Sequence, residues 1–322
     1  MIRSQGVCVK VPASTANLGP GFDTLGMALS LYSWIGMKES EHTQFHLYGD
    51  QMNGLTTDKS NLVYQVAQLV FDEAGVSLPE IEISMYSDIP LTRGLGSSAS
   101  AIIGGMVAAN ALIGSPLSKD KLFDMASKLE GHPDNVGASL FGGIITAVWD
   151  GIHADHIRIE PHTNLEVLVV IPEFQLSTSD ARKVLPDQIS REDAVYNISR
   201  SSLLVAALSQ GRFDLIGRAM SDRLHQPYRA SLVPGMSRIL EEAPNRGALG
   251  VALSGAGPTL LALVDRGNLR KRDLETYLLD TMKEYGIQAS ARWLDPSSDG
   301  VIINENMPSK SFLDMIKGEV EA

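Results

Sequence analysis

Gly94 and Gly96 stand one residue apart, directly ahead of Ser97, Ser98 and a run of small residues, in "IPLTRGLGSSASA", Ile89 to Ala101. Glycine-rich loops of this composition hold phosphate through backbone N–H groups that larger side chains would crowd. No lysine lies between Lys59 and Lys119, so phosphate chemistry here would proceed without the lysine of a Walker loop. Three readings compete. A Walker loop needs G-x-x-x-x-G-K-[ST], and here the glycines are too close together and no lysine follows. The string G-L-G-S-S-A formally matches a dinucleotide fingerprint, but that fingerprint joins strand to helix directly, whereas Pro90 to Arg93 intervene. It also wants an acid about twenty residues on, and the nearest, Asp120, sits at a helix start. The third reading is an anion nest at a helix N-terminus. The glycines turn successive N–H groups toward one oxyanion cluster, the helix adds its dipole and unpaired donors, and Ser97 and Ser98 supply hydroxyls. A tight loop with close helix packing accounts for the same residues without a ligand.

Four other groups of residues carry candidate chemistry. "VPASTANLGPGFDTLGMAL" is dense in hydroxyls and glycines, and Asn17 and Asp23 could hold an amine and a hydroxyl; a polar turn between two strands explains it equally. In "LEGHPDNV", Glu130 ends an amphipathic pattern. A carboxylate beside bound polyphosphate is suited to magnesium, and a solvated glutamate is the competing reading; Asp134 and Asn135 read as turn or cap residues. Arg182 in "STSDAR" and Arg229 in "LHQPYR" have the fork that clamps carboxylates, though each taken alone reads as a surface salt bridge. The glycines of "LSGAGPTLLAL" permit close backbone approach or a plain hairpin. His42/His46 and His153/His156 have no third ligand nearby and do not form a metal site.

These residues need elements to hold them. Ile81, Ile83 and Met85 alternate with polar neighbours, which predicts a strand. A helix follows from Ser97 to Ile113, ended by Gly114 and Pro116. Ser118 caps the next, whose stripe is Leu122, Met125, Ala126 and Leu129. "GGIITAVWD" and "LEVLVVIP" read as strands, with a domain boundary in the aperiodic stretch between Asp150 and Asn164. Helices are predicted over 193–210, 212–224 and 269–285, strands in "GALGVALSGAGPTLLALVD" and "IQASARWL", and an amphipathic helix over 309–322. A chain of 322 residues fits two domains. Its net charge of −11 argues against general affinity for nucleic acid or an anionic membrane. Cys8, the single cysteine, is read as a small buried hydrophobe. With no signal-peptide core near the start and no run long enough to span a bilayer, a cytoplasmic setting is expected.

Together the motifs resemble those of the GHMP kinases, the family of galactokinase, homoserine kinase, mevalonate kinase and phosphomevalonate kinase. "PLTRGLGSSASA" is similar to that family's phosphate loop and "LSGAGPTLLAL" to its late glycine motif. "VPASTANLGPGFDTLGMAL", "EGHPDNV", "STSDARKVLP" and "PYR" resemble its homoserine kinase branch. The resemblance implies an α+β fold of two domains. Residues 1–155 would form an ATP-binding domain like ribosomal S5 domain 2, and residues 156–322 a ferredoxin-like domain. It implies ATP and Mg²⁺ as cofactors and L-homoserine as the phosphoryl acceptor, in threonine biosynthesis. Pro90, Leu91, Thr92, Arg93, Gly94, Leu95, Gly96, Ser97, Ser98, Ala99 and Ser100 would bind the triphosphate, and Asn61 would lie near the adenine. Ser98 and Glu130 would hold the metal. Asn17, Asp23, His132, Asp134 and Asn135 would surround the amine and hydroxyl of the substrate. Thr178, Arg182 and Arg229 would face its carboxylate and the γ-phosphate region. Asp23, Ser98 and Glu130 would carry catalysis, Asp23 by orienting the hydroxyl rather than by taking its proton. Only Gly131 separates Glu130 from His132, where some members have several more residues. Many members are dimers, so a homodimer is among the expectations. Two alternatives stand beside this: a kinase of another small alcohol such as mevalonate, and a non-catalytic nucleotide-binding regulator, against which intact Ser98 and Glu130 argue.

Overall fold

The computed structural model describes residues 6–304 and 312–320. Its first sheet grows from one long hairpin, β1 (Val7–Asn17) and β2 (Gly21–Glu39), paired antiparallel. Register shifts between Pro12 and Ala13 and between Ala16 and Asn17 interrupt the ladder near the hairpin's turn; such irregularities bend and re-aim strands. β3 (Gln44–Tyr48) runs parallel to β4 (Ile81–Ser87), which pairs with β2. β5 (Ile144–Trp149) pairs with β2 and with β6 (Ala154–Ile159). The second sheet contains β7 (Leu165–Pro172), β8 (Gly250–Leu253), β9 (Leu260–Asp265) and β10 (Ala289–Leu294), in the antiparallel order β10-β7-β9-β8. With helices between β7 and β8 and between β9 and β10, this is a ferredoxin-like arrangement. β11 (Ile302–Asn304) returns to pair with β1. The chain is therefore α+β and two-layered in each part.

A division at 155/156 would cut β6, which belongs to the first sheet through its full ladder with β5. The sheets divide instead between Ile159 and Leu165, and β11 brings the late chain back to the first. Polar residues in β6 hide it from the sequence, because a strand at the sheet's edge keeps a wet side.

The first domain carries α1 (Leu62–Glu73), α2 (Ser97–Leu112), α3 (Lys119–Glu130) and α4 (Asp134–Phe141). α2 is buried along nearly its whole length, as its small, apolar composition requires. A Cβ on Gly104 would lie 2.5 Å from Ile35, and one on Gly105 2.5 Å from Val66, so bare backbone lets α2 seat between sheet and α1. Ser118 caps α3 by accepting from the Lys121 N–H. The second domain carries α5 (Thr178–Lys183), α6 (Arg191–Gln210), α7 (Phe213–Ala219), α8 (Gln226–Arg229), α9 (Met236–Glu242) and α10 (Lys271–Glu284). The helix predicted over 212–224 stops at Ala219. The Asp222 carboxylate accepts from the N–H groups of Leu224, His225 and Gln226 and so diverts backbone donors from a continuing helix. α11 (Phe312–Val320) lies near the end, with Phe312 and Ile316 packed on Cys8 and Trp34; the rest of the predicted 309–322 helix lies outside the described residues.

β7 alternates Val167 and Val169 toward one face with Leu168 and Val170 toward the other, and both faces are buried. That is why "LEVLVVIP" shows no polar alternation after Glu166. The first of these faces shares a core with Leu18, Leu25, Met27, Ile89 and Leu95 of the first domain. This common core holds the two domains together beneath a cavity. No helix among the described residues is long and apolar enough to cross a membrane.

Candidate active site

The cavity, of about 480 Å³, is walled by the β1–β2 turn, the glycine loop, the adjoining ends of α3 and α4, α5, and the β8–β9 turn. Of the residues singled out from the sequence, all but Pro90 and Leu95 line it. The Leu95 side chain is buried in the core shared by the domains.

The glycine loop is held at close range through its own backbone groups. Gly94 (φ +79°) and Gly96 (φ +71°) are both left-handed, a conformation costly to residues with a Cβ. A Cβ on Gly94 would approach the Ser254 carbonyl oxygen, and one on Gly96 the Ser14 hydroxyl, far inside contact distance. Ser14 N–H donates to the Leu95 carbonyl at 3.2 Å, and the Ser254 hydroxyl donates to the Gly94 carbonyl at 2.5 Å. The late glycine motif thus serves as a platform for this loop. Gly96 is the N-cap of α2 and no side chain caps the helix. Its first N–H groups and its positive dipole end therefore face the cavity, the arrangement that receives an oxyanion. Arg93 is turned aside, donating to the carbonyls of Leu91 and Glu173.

Next to that helix end the Ser98 hydroxyl donates to Glu130 at 2.6 Å. A hydroxyl and a carboxylate side by side at a helix end suited to phosphate are the hard oxygen donors that Mg²⁺ takes together with phosphate, so these residues fit the expected metal. A second set, Asp23, His132 and Asp134, brings its donor atoms within 4.8 Å of one another. The positive charge in that set is that of His132 itself. Burial opposes charge on His132, but its 2.6 Å hydrogen bond to Asp134 and the charges of Asp134, Asp23 and Glu130 prevail and raise its pKa to about 9. An imidazolium has no lone pair for a metal. The short spacing noted in the sequence brings His132 Nε2 to 4.0 Å from Glu130.

Across the cavity, Arg182 grips both oxygens of Asp23, at 2.7 and 3.0 Å, in a bidentate fork. Asn17, Leu18 and Asp23 have positive φ; the turn is held by Asn17, whose Oδ1 accepts from Asp23 N–H and whose Nδ2 donates to the Gly255 carbonyl, both at 3.0 Å. Arg229 is 2% exposed. Its Nε donates to the Ala181 carbonyl and its Nη1 to that of Gly255, both at 3.0 Å. Burial, and then the nearby Arg182, lower its pKa to about 10. Asn135 accepts from the Ser14 hydroxyl at 3.0 Å. Thr178 is exposed at the start of α5, in the cavity wall. Asn61 caps α1 and donates to the Thr56 carbonyl, so both ends of its amide are spent on the chain itself.

Sequence reasoning passed over Ser14, Phe22, Ser254 and His225. Ser14 and Ser254 act through hydroxyls that bond to Asn135 and Gly94, Phe22 through stacking on His225, and His225 also through bonds to Gly19 and Arg229. Only the density of hydroxyls around Ser14 hinted at any of them.

A family model described as GHMP kinases N terminal domain matches residues 61–143, and one described as GHMP kinases C terminal matches residues 204–275. The homoserine kinase of Deinococcus radiodurans is 46% identical over 288 residues, 89% of this chain and 92% of that protein. The homoserine kinase of Carboxydothermus hydrogenoformans is 42% identical over 297 residues, 92% of this chain and 96% of that protein. The crystal structure of homoserine kinase from Cytophaga hutchinsonii superimposes with a TM-score of 0.83 at 27% identity, over 94% of this chain and 99% of that one. With its phosphate loop, its two domains and these relatives taken together, the chain belongs to the GHMP kinase family, in the branch of the homoserine kinases.

Proposed function

We propose that this protein is an ATP:L-homoserine O-phosphotransferase that makes O-phospho-L-homoserine for threonine biosynthesis. One observation carries the reading: a single cavity has an uncapped helix end with left-handed glycines on one side and an arginine–carboxylate cluster on the other. The first suits a triphosphate, the second an amino acid. Mevalonate has no amine and would not need Asn17 and Asp23.

In this reading the N–H groups of the glycine loop and the first turn of α2 receive the phosphates. Ser98 and Glu130 would hold Mg²⁺, which when bound neutralises charge on the β- and γ-oxygens. Asn61 contributes to the adenine end as the cap that fixes the start of α1. Arg229 and Arg182, with Thr178, receive the carboxylate. Asn17, Asp134 and Asn135 surround the amine and hydroxyl, and the His132 imidazolium offsets the carboxylates gathered there. The homoserine hydroxyl oxygen bonds to the γ-phosphorus, the bond from that phosphorus to the bridging oxygen breaks, ADP leaves and the hydroxyl proton is released. Positioning supplies most of the acceleration for such a transfer. Asp23 orients the hydroxyl; taking its proton would break the bidentate pair with Arg182. Phosphorus NMR of a reaction with Mg-ATP and L-homoserine is the test: a phosphomonoester of homoserine is expected, and release of inorganic phosphate alone would overturn the reading.

A further inference from the structure

His225 is fully buried at the N-cap of α8, and both ring nitrogens are engaged. Nε2 lies 2.7 Å from the Gly19 carbonyl oxygen, and Nδ1 lies 3.2 Å from Nη1 of Arg229. A carbonyl only accepts and a guanidinium only donates. The two contacts therefore require one form of the ring, neutral with its proton on Nε2. Phe22 stacks on that ring at 5.2 Å, and the Phe22 ring centre lies 5.2 Å from the Arg229 guanidinium carbon and 5.4 Å from that of Arg182. The backbone beneath is fixed by Asp222, which accepts from the His225 N–H and from Asn197, and Asn197 in turn donates to the Pro20 carbonyl.

We propose that His225 is a positioning residue for substrate recognition, locking the Arg229 guanidinium to the Gly19–Phe22 turn so that the two ends of the substrate site keep a fixed separation. The proposal rests on the homoserine reading, in which Arg229 serves the carboxylate, and Asn17 and Asp23 the amine and hydroxyl. The turn from Leu18 to Phe22 joins Asn17 to Asp23 in the chain, so a bond to Gly19 sets both. Four charged groups act on the ring. Arg229 opposes a second proton, as does burial, while Asp222, 3.6 Å from Nε2, and Asp23 favour it; burial prevails and the ring stays neutral. Arg182 reaches the ring through the face of Phe22. A proton on Nδ1 would set a donor against a cation and release Arg229.

Three variants separate the two bonds. H225N offers an oxygen near the position of Nδ1 and keeps an acceptor for Arg229. H225Q offers an N–H near the position of Nε2 and keeps a donor for Gly19. H225F keeps bulk and stacking but neither bond. In H225F the KM for homoserine should rise about tenfold or more while the KM for ATP stays within about twofold, as expected for a misplaced charged donor. H225N should recover most of that loss. An unchanged homoserine KM in H225F, an equal rise in both KM values, or no recovery in H225N would overturn the proposal. Nitrogen NMR of the unsubstituted protein reads the ring without any variant: a neutral Nε2–H imidazole is expected at about pH 7, and a charged or Nδ1–H ring there would contradict it. If the unsubstituted enzyme does not phosphorylate homoserine, the kinase reading fails instead, and the NMR result still judges the His225 geometry.

Discussion

Replacing Gly96 by alanine strains the phosphate loop in two separable ways. The first is conformational: φ is +71°, and a residue with a Cβ pays about 1–2 kcal/mol there. The second is steric. The new Cβ would lie 2.1 Å from the Ser14 hydroxyl and 3.0 Å from the Ser14 N and O, so Ser14 must move and release Asn135, at a further cost of about 1 kcal/mol. Gly114 is the control. Its φ is +88° with nothing within 4 Å of a Cβ, and it does not line the cavity. G114A should therefore lose only the conformational part, and G96A at least about 1 kcal/mol more in urea unfolding. Moving Ser14 also moves Leu95, whose carbonyl it holds, and hence the donors proposed to receive phosphate. One charge-assisted bond lost there raises the KM for ATP about tenfold or more in G96A, with none of that rise in G114A. Equal stability losses together with an unchanged KM for ATP in G96A would refute the close-approach argument.

S98A and E130A should each raise the Mg²⁺ concentration needed for half-maximal turnover by at least about tenfold, read from initial rates over a magnesium titration; a wild-type requirement in both would remove this pair as the metal site. D23N should raise the homoserine KM about tenfold or more through loss of charge-assisted bonds, and near-total loss of turnover at unchanged homoserine binding would instead make Asp23 a base. The pH dependence of stability has a definite sign at His225. Burial lowers its folded pKa, so as pH falls through about 6.5 the unfolded chain binds a proton that the folded chain refuses, and stability drops by up to about 1.4 kcal/mol per pH unit. His132 acts oppositely, since its stabilisation is complete below the ordinary imidazole value and lost as pH rises through about 9. Comparing H225N with the unsubstituted protein isolates the first effect: the variant should lose less stability between about pH 7 and about pH 5 in urea melts.

What could be read from the sequence was local. The spacing of Gly94 and Gly96 before a small-residue run pointed to a left-handed turn at a helix start, and both are there, because left-handed backbone and a slim helix start leave a mark on residue type. "LEVLVVIP" announced a strand buried on both faces for the same kind of reason. The ending of α7 at Ala219 did not show, since a carboxylate three residues beyond, at Asp222, redirects the backbone. β6 was missed because its edge position permits polar residues. Arg182 and Arg229, taken alone, resembled surface charges. Their roles arise from partners far away in the chain, Asp23 and Gly255, and no local pattern encodes a contact made by tertiary packing. His225 was invisible for the same reason, since its tautomer is fixed jointly by Gly19 and Arg229.

If the arginine–carboxylate cluster selects the phosphoryl acceptor, the enzyme should take an amino acid and refuse other alcohols. A coupled assay of ADP release, with Mg-ATP held constant and homoserine, mevalonate and galactose offered in turn, tests it most directly. Saturable ADP release is expected with homoserine, and none above background with the other two. No response to homoserine, or an equal response to mevalonate, would contradict it.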